Sequence, residues 1–219
     1  MMILIILIFL IFASIHSITA SGKFKQACKE RFGGTFMGVY YRGFYNLISA
    51  ATFAAALGLI SLVPDHAVWN APLWLHWVMR GVQLAALVFG ARSFAHLDRG
   101  EFLGTTQIRR YFSRREVAGT MEGVTERELV TTGVYGIVRH PLYLAGIIIV
   151  LFNPVLTVNG LTFTVLAVLY FLFGAFIEER RFLEIFGERY RAYKKRVPML
   201  APGMLRLMDR GKSGSSKLS

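Results

Sequence analysis

Five apolar stretches, separated by polar connections, constrain the fold of this chain more than any other feature. A helix needs about 20 apolar residues to cross a hydrocarbon core of about 30 Å, and each stretch reaches or approaches that length. The third is the weakest, because it carries Arg92 near one end. The pattern predicts an all-α integral membrane protein with five transmembrane helices, over residues 2–19, 47–63, 81–97, 134–152 and 155–177.

The composition supports this class and argues against others. Of the 219 residues, 54% are hydrophobic, yet the formal net charge is +12, so the charge must be segregated from the apolar segments. Membrane topology explains such segregation better than nucleic-acid binding does, and we expect no nucleic acid as a partner. The single cysteine, Cys28, excludes an internal disulfide, and no group of residues has the spacing of a metal site.

The basic residues indicate which side of the membrane each connection faces. Lys and Arg are abundant between stretches one and two, between three and four, and after five, whereas the connections at 64–72 and 152–160 contain none. The positive-inside rule therefore predicts an N-terminus outside and a C-terminus in the cytoplasm. Tryptophans cluster near the first of these uncharged connections, as in an aromatic belt, at Trp69, Trp74 and Trp77. We expect a multi-pass protein of the cell inner membrane.

The two ends of the chain bear on its domain organisation. The first stretch lacks the basic region of a signal peptide and is followed by several lysines, so we expect it to be an uncleaved span. No internal repeat or shift in composition marks a domain boundary, which predicts a single transmembrane domain over residues 1–210. Residues 211–219 read GKSGSSKLS, a composition typical of a flexible tail.

The fourth and fifth stretches are predicted to form a tight antiparallel hairpin that gathers ionisable residues on one side. The connection between them is only a few residues long. The hairpin therefore places Arg139-His140, at the start of one limb, on the same side as Glu178-Glu179, at the end of the other. We expect these two pairs to lie close together on the cytoplasmic side.

The arginine-histidine pair is predicted to lie below the lipid headgroups. The 12 residues from Pro141 to Phe152 form about 18 Å of helix at 1.5 Å per residue, which is short of a core of about 30 Å. Ionisable groups at such depth are costly and indicate a functional site. Pro141 suits a first helical position, because its missing N–H would be unpaired there anyway, and Gly146 is expected to leave room for a group to approach the helix.

Structural interpretations stay open for several of these residues. Arg139 could serve only as a topology signal, and Glu178-Glu179 could be only the solvated end of a helix. His16 and His96 offer an alternative of another class, because a pair of membrane histidines can ligate haem. Histidines in helices are, however, more often hydrogen-bonded packing residues.

Beyond the fifth stretch, the chain predicts an amphipathic interfacial helix that ends before Pro198. Lys and Arg crowd most of its faces, whereas one face carries aromatic residues at helical spacing, namely Phe182, Phe186, Tyr190 and Tyr193. The helix could be a membrane-surface anchor only. Alternatively, the two tyrosines could fold back over the mouth of the hairpin and roof a pocket.

Two motifs carry a resemblance to a known family. The chain reads LVTTGVYGIVRHPLYLAG over 129–146 and EERRFLEIFGERYRAYKKRVPMLAP over 178–202. Both motifs resemble the C-terminal half of the integral membrane methyltransferases, which include isoprenylcysteine carboxyl methyltransferases and phospholipid N-methyltransferases, and they imply a catalytic half over 129–202. A looser similarity to the NnrU-like proteins and bacterial methanethiol S-methyltransferases covers much of the remaining chain, at residues 15–33, 41–53, 94–112 and 151–163.

The resemblance implies a methyltransferase whose cofactor, S-adenosylmethionine, binds in the hairpin mouth. It implies catalytic roles for Arg139 and His140, and no metal. It implies cofactor contacts from a larger set of residues, which are Tyr135, His140, Pro141, Tyr143, Gly146, Glu178, Glu179, Tyr190 and Tyr193. The Gly-rich loop of soluble methyltransferases is absent from the sequence, as expected if a membrane fold replaces it.

The chemistry of that family suits a site where water and lipid meet. A polar cofactor would enter from the cytosol and an apolar acceptor from the lipid, and alignment of the reacting atoms would supply much of the rate. The two glutamates could hold cofactor hydroxyl or ammonium groups, and Arg139 an anionic substrate or the cofactor carboxylate. His140 could orient the cofactor or take a proton from a thiol. The expected acceptor is a small thiol such as methanethiol, with a prenylcysteine carboxylate or a phospholipid amine as alternatives.

Overall fold

The computed structural model describes residues 1–94, 99–113 and 129–200, and most of these are helical. In chain order, the described helices are α1 (Met2–Ala20), α2 (Gly22–Phe32), α3 (Gly34–Ser61), α4 (Leu73–Ser93), α5 (Arg99–Leu103), α6 (Thr105–Phe112), α7 (Pro141–Leu151), α8 (Val158–Phe186) and α9 (Glu188–Arg196). Four of them, α1, α3, α4 and α8, are long and apolar enough to cross a membrane. The prediction of an all-α multi-pass membrane protein is confirmed. The tail predicted at 211–219 lies outside the described residues.

Two predicted spans are parts of longer or displaced helices. Helix α3 begins at Gly34 rather than at residue 47, and α4 covers Leu73–Ser93 rather than 81–97. An apolar run marks only the part of a helix that suits lipid. Polar residues can continue the same backbone hydrogen bonding beyond it, as Arg42 does in α3.

The fourth predicted span is not one continuous helix. Gly133–Gly136 forms a short 3-10 helix, and α7 has only 11 residues, about 17 Å at 1.5 Å per residue. Helix α7 is therefore not among those long enough to cross a membrane. The residue before a proline avoids the helical region, and His140 accordingly has φ −123° and ψ 69°. The predicted helix start at Pro141 is confirmed.

The two connections that lack Lys and Arg pair with each other. Strands β1 (Ala67–Asn70) and β2 (Val155–Thr157) are antiparallel neighbours. The buried side chain of Asn159 donates from Nδ2 to the carbonyl oxygens of Val63 and Pro64 at 3.0 and 3.1 Å. The two connections therefore lie next to each other, while their predicted position outside the membrane stays a prediction. Strand β2 lengthens the turn that was expected to be tight.

Tertiary contacts divide the chain into two compact units. The first contains residues 1–70, 99–113 and 155–166 of the described chain, and the second contains residues 71–94, 129–154 and 167–200. All the predicted cofactor contacts belong to the second unit. The single domain predicted over 1–210 stays a prediction.

In the first unit, α3 packs closely on α5 and α6. Arg42 of α3 donates from Nε to the carbonyl oxygen of Phe102 at 2.8 Å, and its guanidinium carbon lies 4.7 Å from the centre of the Phe102 ring. Gly104 has a φ of +86°, and a Cβ there would lie 2.6 Å from the Gly43 nitrogen. Both the backbone conformation and the close approach therefore require glycine.

In the second unit, α7 contacts both α4 and α8 through small residues. A Cβ added to Gly90 of α4 would lie 2.9 Å from the Ala145 Cβ, and one added to Gly146 would lie 2.7 Å from the Phe171 ring. Gln83 of α4 donates from Nε2 to the carbonyl oxygen of Ile149 at 2.8 Å. Close approach of helices through small residues is typical of membrane proteins.

The C-terminal segment predicted as one amphipathic helix is broken at Gly187. This residue has φ +53° and ψ −124°, which no continuing α-helix allows. The break ends α8 at Phe186, and the aromatic residues on either side of it still pack together, with the Phe182 and Tyr190 rings edge to face at 5.4 Å. Helix α9 ends before Pro198, as predicted.

Candidate active site

The start of α7 and the end of α8 bring four predicted residues together. Arg139 and His140 immediately precede α7, and Glu178 and Glu179 lie in the last turns of α8. The Arg139 guanidinium forms an ion pair with Glu179, and His140 lies within 3.5 Å of both carboxylates. The predicted proximity of the two pairs is confirmed.

The buried Arg139 side chain is held within the protein. Its Nε donates to Glu179 Oε1 at 2.7 Å, and its Nη2 contacts the same oxygen. Its Nη1 donates to the carbonyl oxygens of Lys194, at 3.2 Å, and Val197. Each of the three nitrogens therefore has a protein partner, which differs from the expected contact with a substrate or cofactor carboxylate.

The two glutamates differ in their surroundings. The Glu179 side chain is 7% exposed, and its second carboxylate oxygen accepts a hydrogen bond from Lys194 Nζ at 2.6 Å. The Glu178 side chain is 35% exposed and contacts His140 Nδ1 at 3.3 Å through Oε2. Glu179 is thus enclosed by cations, whereas Glu178 has carboxylate capacity available for another donor.

His140 is positioned by stacking and by the acidic pair. Its ring stacks on Tyr143 with a centroid distance of 5.4 Å and an interplanar angle of 10°. Burial alone would lower the pKa of His140, but the hydrogen bond to Glu178 and the negative charge of both glutamates outweigh burial and raise this pKa above its ordinary value. The carboxylates therefore favour a protonated imidazole.

Two buried polar atoms of this cluster lack a hydrogen-bond partner among the described residues. They are His140 Nε2 and the Tyr190 hydroxyl. The nitrogen lies 3.5 Å from Glu179 Oε1, but the geometry is not that of a hydrogen bond. Leaving a buried polar group unpaired costs about 1–3 kcal/mol, so the pair marks a place where a polar ligand would add the missing partners.

The predicted tyrosines pack around this cluster. The Tyr193 hydroxyl donates to the carbonyl oxygen of Tyr135 at 2.6 Å, which ties α9 to the 3-10 helix. Tyr190 and Tyr193 form a buried core with Val197. Burial raises the pKa of both tyrosines, so their hydroxyls stay protonated. The Tyr135 side chain hydrogen bonds to Ser93 of α4.

The space expected beside Gly146 is filled by protein. The Phe171 ring of α8 lies against this glycine and packs on Tyr143 with a centroid distance of 5.9 Å. The group that approaches α7 here is therefore an aromatic side chain of the neighbouring helix. The apolar run that contains Phe171 gave no sign of which ring would dock.

Two residues of the cluster were missed from the sequence. Lys194, which binds Glu179, lies four residues after Tyr190 and hence on the same face of α9, and this spacing could have indicated it. Ser93, the partner of Tyr135, is fully buried at the end of α4. No motif or spacing marks Ser93.

His16, one of the two residues considered as haem ligands, has hydrogen-bond partners for its ring nitrogens within the first unit. Its Nδ1 lies 3.1 Å from Ser49 Oγ, and its Nε2 lies 3.0 Å from the Tyr45 hydroxyl. Both ring nitrogens are thereby engaged, and neither is directed at an open site. His96 lies outside the described residues.

Relatives of the chain are named as methyltransferases. Methanethiol S-methyltransferase from Pseudomonas deceptionensis is 42% identical over 73 residues, which are 33% of this chain and 28% of that protein. Methanethiol S-methyltransferase 2 from Bradyrhizobium diazoefficiens is 28% identical over 198 residues, which are 90% of this chain and 71% of that protein. Protein-S-isoprenylcysteine O-methyltransferase B from Arabidopsis thaliana is 27% identical over 164 residues, which are 71% of each chain.

The coverage of these relatives is uneven. The chain spans 28%, 40% and 39% of the length of three methanethiol S-methyltransferases that it matches. No solved structure shows a significant match. The family model described as NnrU protein, in contrast, matches residues 3–207. That match covers almost the whole sequence, and the chain therefore belongs to the NnrU protein family.

Proposed function

We propose that the protein is a membrane-embedded methyltransferase that uses S-adenosylmethionine and methylates a small or lipophilic acceptor. The leading acceptor is a thiol such as methanethiol. The observation that carries the proposal is the buried cluster in which His140 Nε2 and the Tyr190 hydroxyl have no hydrogen-bond partner among the described residues, next to the partly exposed Glu178. The names of the relatives support the same reaction class.

The donor set fits the polar parts of this cofactor. Ammonium and hydroxyl groups need acceptors, and Glu178 offers a carboxylate with spare capacity. The Tyr190 hydroxyl and His140 Nε2 would complete their hydrogen bonding with the ligand. Tyr135, Pro141, Tyr143, Gly146 and Tyr193 would act mainly by shaping the cluster, because their observed contacts are with the protein.

Methyl transfer needs a donor with a good leaving group and a nucleophile from which water is excluded. When bound, S-adenosylmethionine supplies an electrophilic methyl group on a cationic sulfur. Nearby carboxylates favour a cation in a poorly hydrated site. His140 is placed to hold the acceptor or to accept the proton of a thiol. It could do so only in its neutral form, so we expect transfer to thiols to increase as pH rises through its raised pKa.

We propose that this site faces the cytoplasm of a cell inner membrane, with the N-terminus outside. The proposal rests on the absence of Lys and Arg from the paired connections at 64–72 and 152–160. Asn159, at one of them, is too buried to report on this. In a Cys28→Ser background, Asn70→Cys should react with an impermeant thiol reagent from outside intact cells, and Lys195→Cys should not. The reverse pattern would contradict the proposed orientation.

A methyl-transfer screen tests the proposed activity. The purified full chain in lipid nanodiscs is given S-adenosylmethionine with a labelled methyl group and, in turn, methanethiol, sulfide, a prenylcysteine and phosphatidylethanolamine. We expect label in dimethyl sulfide from methanethiol, dependent on His140. Label only in the prenylcysteine ester or in the lipid would replace the thiol by one of the alternative acceptors. No transfer to any of the four by a folded sample would count against a methyltransferase.

A further inference from the structure

We propose that Arg139 is a positioning residue, which fastens α9 over His140 and contacts neither the cofactor nor the methyl acceptor. This inference rests on the proposed function, and it assigns Arg139 a role other than the substrate clamp that its place in the motif suggests. The evidence is the set of partners that its side chain and its backbone have in the folded protein.

The guanidinium joins three segments. It binds the Glu179 carboxylate at the end of α8 through two nitrogens. Its third nitrogen donates to the carbonyl oxygens of Lys194 and Val197, in the last turn of α9 and just after it. The end of a helix leaves carbonyl oxygens without partners, so Arg139 supplies to α9 what the helix itself cannot.

The backbone on either side strengthens the same junction. Arg139 N donates to the carbonyl oxygen of Pro198 at 2.9 Å, and His140 N donates to that of Met199 at 3.2 Å. The residues before α7 thus run alongside the chain that leaves α9. Lys194 closes the arrangement from the other side by donating to Glu179 at 2.6 Å. We call Arg139, Glu179 and Lys194 the latch.

The latch is adjacent to the two polar atoms that are proposed to contact the ligand. Glu179 also lies 3.5 Å from His140 Nε2, and α9 carries the Tyr190 hydroxyl, which has no hydrogen-bond partner among the described residues. Loosening the latch would therefore move both polar atoms that the ligand is proposed to meet. Because all three nitrogens of Arg139 contact protein groups, its effect on the reaction is assigned to these contacts.

An exposed ion pair on α9 provides the matched control. Arg191 donates to Glu188 at 2.6 Å, but the two side chains are 65% and 82% exposed, whereas Arg139 and Glu179 are both 7% exposed. Exposed pairs contribute little, and removing one partner of a buried pair is costly. Arg191→Lys should therefore behave like the wild type in every measurement below.

Hydrogen exchange and kinetics on the full chain in nanodiscs test the latch. In Arg139→Lys, which keeps the charge but loses the forked donor, amides of residues 188–199 should exchange about tenfold faster or more. Affinity for S-adenosylhomocysteine and kcat should also fall, by about tenfold or more, with little change in the KM of the acceptor. Lys194→Gln should give the same pattern more weakly, and it keeps the test available if Arg139→Lys folds poorly.

Distinct outcomes overturn the inference. Unchanged exchange at 188–199 would mean that Arg139 does not fasten α9. Faster exchange with normal kcat and cofactor affinity per folded molecule would make the latch merely structural. A raised acceptor KM with normal cofactor binding would restore the direct clamp. If the wild type itself does not bind S-adenosylhomocysteine, both the proposed function and the positioning role of Arg139 in it are wrong. The exchange result still decides whether Arg139 fastens α9.

Discussion

Two histidines of this chain lie in polar networks of opposite kinds. His16, in α1, lies between two neutral hydroxyls, those of Ser49 and Tyr45, and both of its ring nitrogens are within hydrogen-bonding distance. His140, ahead of α7, lies between two carboxylates, and its Nε2 has no hydrogen-bond partner among the described residues.

The difference separates a packing residue from a functional one. A neutral imidazole with one donor and one acceptor is satisfied by two hydroxyls, and such a network stabilises the contact between α1 and α3. A histidine between carboxylates has a raised pKa. Its Nε2, which has no hydrogen-bond partner among the described residues, lowers the stability of the folded protein. Such a cost is understandable where a ligand provides the missing partner.

The largest expected effect is the loss of activity in His140→Ala. We expect methyl transfer to fall by about 100-fold or more, the lower range of a removed acid–base group, while the protein still inserts in the membrane. His66→Ala is the matched control, because His66 is exposed beside β1. Transfer rates measured on equal amounts of folded protein check this prediction. Normal turnover of His140→Ala would remove the contrast between the two histidines.

The next effect concerns the more exposed carboxylate of the acidic pair. Glu178→Gln should weaken S-adenosylhomocysteine binding by about ten- to 150-fold, the range for one charge-assisted hydrogen bond, with little change in melting temperature. Glu184→Gln, also on α8 and exposed, should bind normally. Glu179→Gln is a poorer test, because it would leave the buried Arg139 without its carboxylate. Wild-type affinity in Glu178→Gln would favour a merely solvated helix end.

The pH dependence of stability should distinguish the two networks. A histidine whose pKa is raised by folding stabilises the fold fully below its ordinary value of 6.5, and this contribution is lost as pH rises through the raised pKa. The melting temperature of the wild type should therefore fall above pH 6.5, relative to that of His140→Gln. Parallel pH profiles would indicate that the carboxylates do not hold a proton on His140.

The smallest effect is expected in the satisfied network. His16→Phe keeps an aromatic ring beside Phe12 and Tyr45 but removes both hydrogen bonds, which should cost about 1 kcal/mol of stability in a membrane protein. Methyl transfer by the folded variant should be unchanged. A Soret band in the purified wild type that this variant loses would instead assign His16 to haem and break the comparison.

The location of the site could be predicted from the sequence, but the side-chain contacts within it could not. Hairpin topology was enough to place Arg139-His140 beside Glu178-Glu179, because both pairs flank apolar runs that must return to the same side. Pro141 fixed the start of α7 for a local reason, its missing N–H. These predictions depended on the direction of the chain through the membrane and on the geometry of single residues. Both can be inferred from the sequence without knowledge of tertiary contacts.

Other features depend on side-chain packing across helices and were not predictable. The apolar run of α8 does not indicate that Phe171 docks against Gly146, because many of its residues would suit lipid equally well. The break at Gly187 was missed, since the aromatic spacing fits a continuous helix, and glycine permits but does not require a positive φ. The engagement of Arg139 with the end of α9 depends on that break.

Tyr190→Phe tests most directly the claim that His140 Nε2 and the Tyr190 hydroxyl, which lack partners among the described residues, form hydrogen bonds with a ligand. The substitution removes only the hydroxyl, which has no partner in the described part of the chain, and keeps the ring that packs on Phe182. Calorimetric titration with S-adenosylhomocysteine, together with the melting temperature of the free protein, gives both required quantities. We expect affinity to fall by about tenfold, while the free protein is as stable as the wild type or more so, because a buried unpaired group is gone. Unchanged affinity with a lowered melting temperature would show that the hydroxyl serves the fold, and would contradict the account.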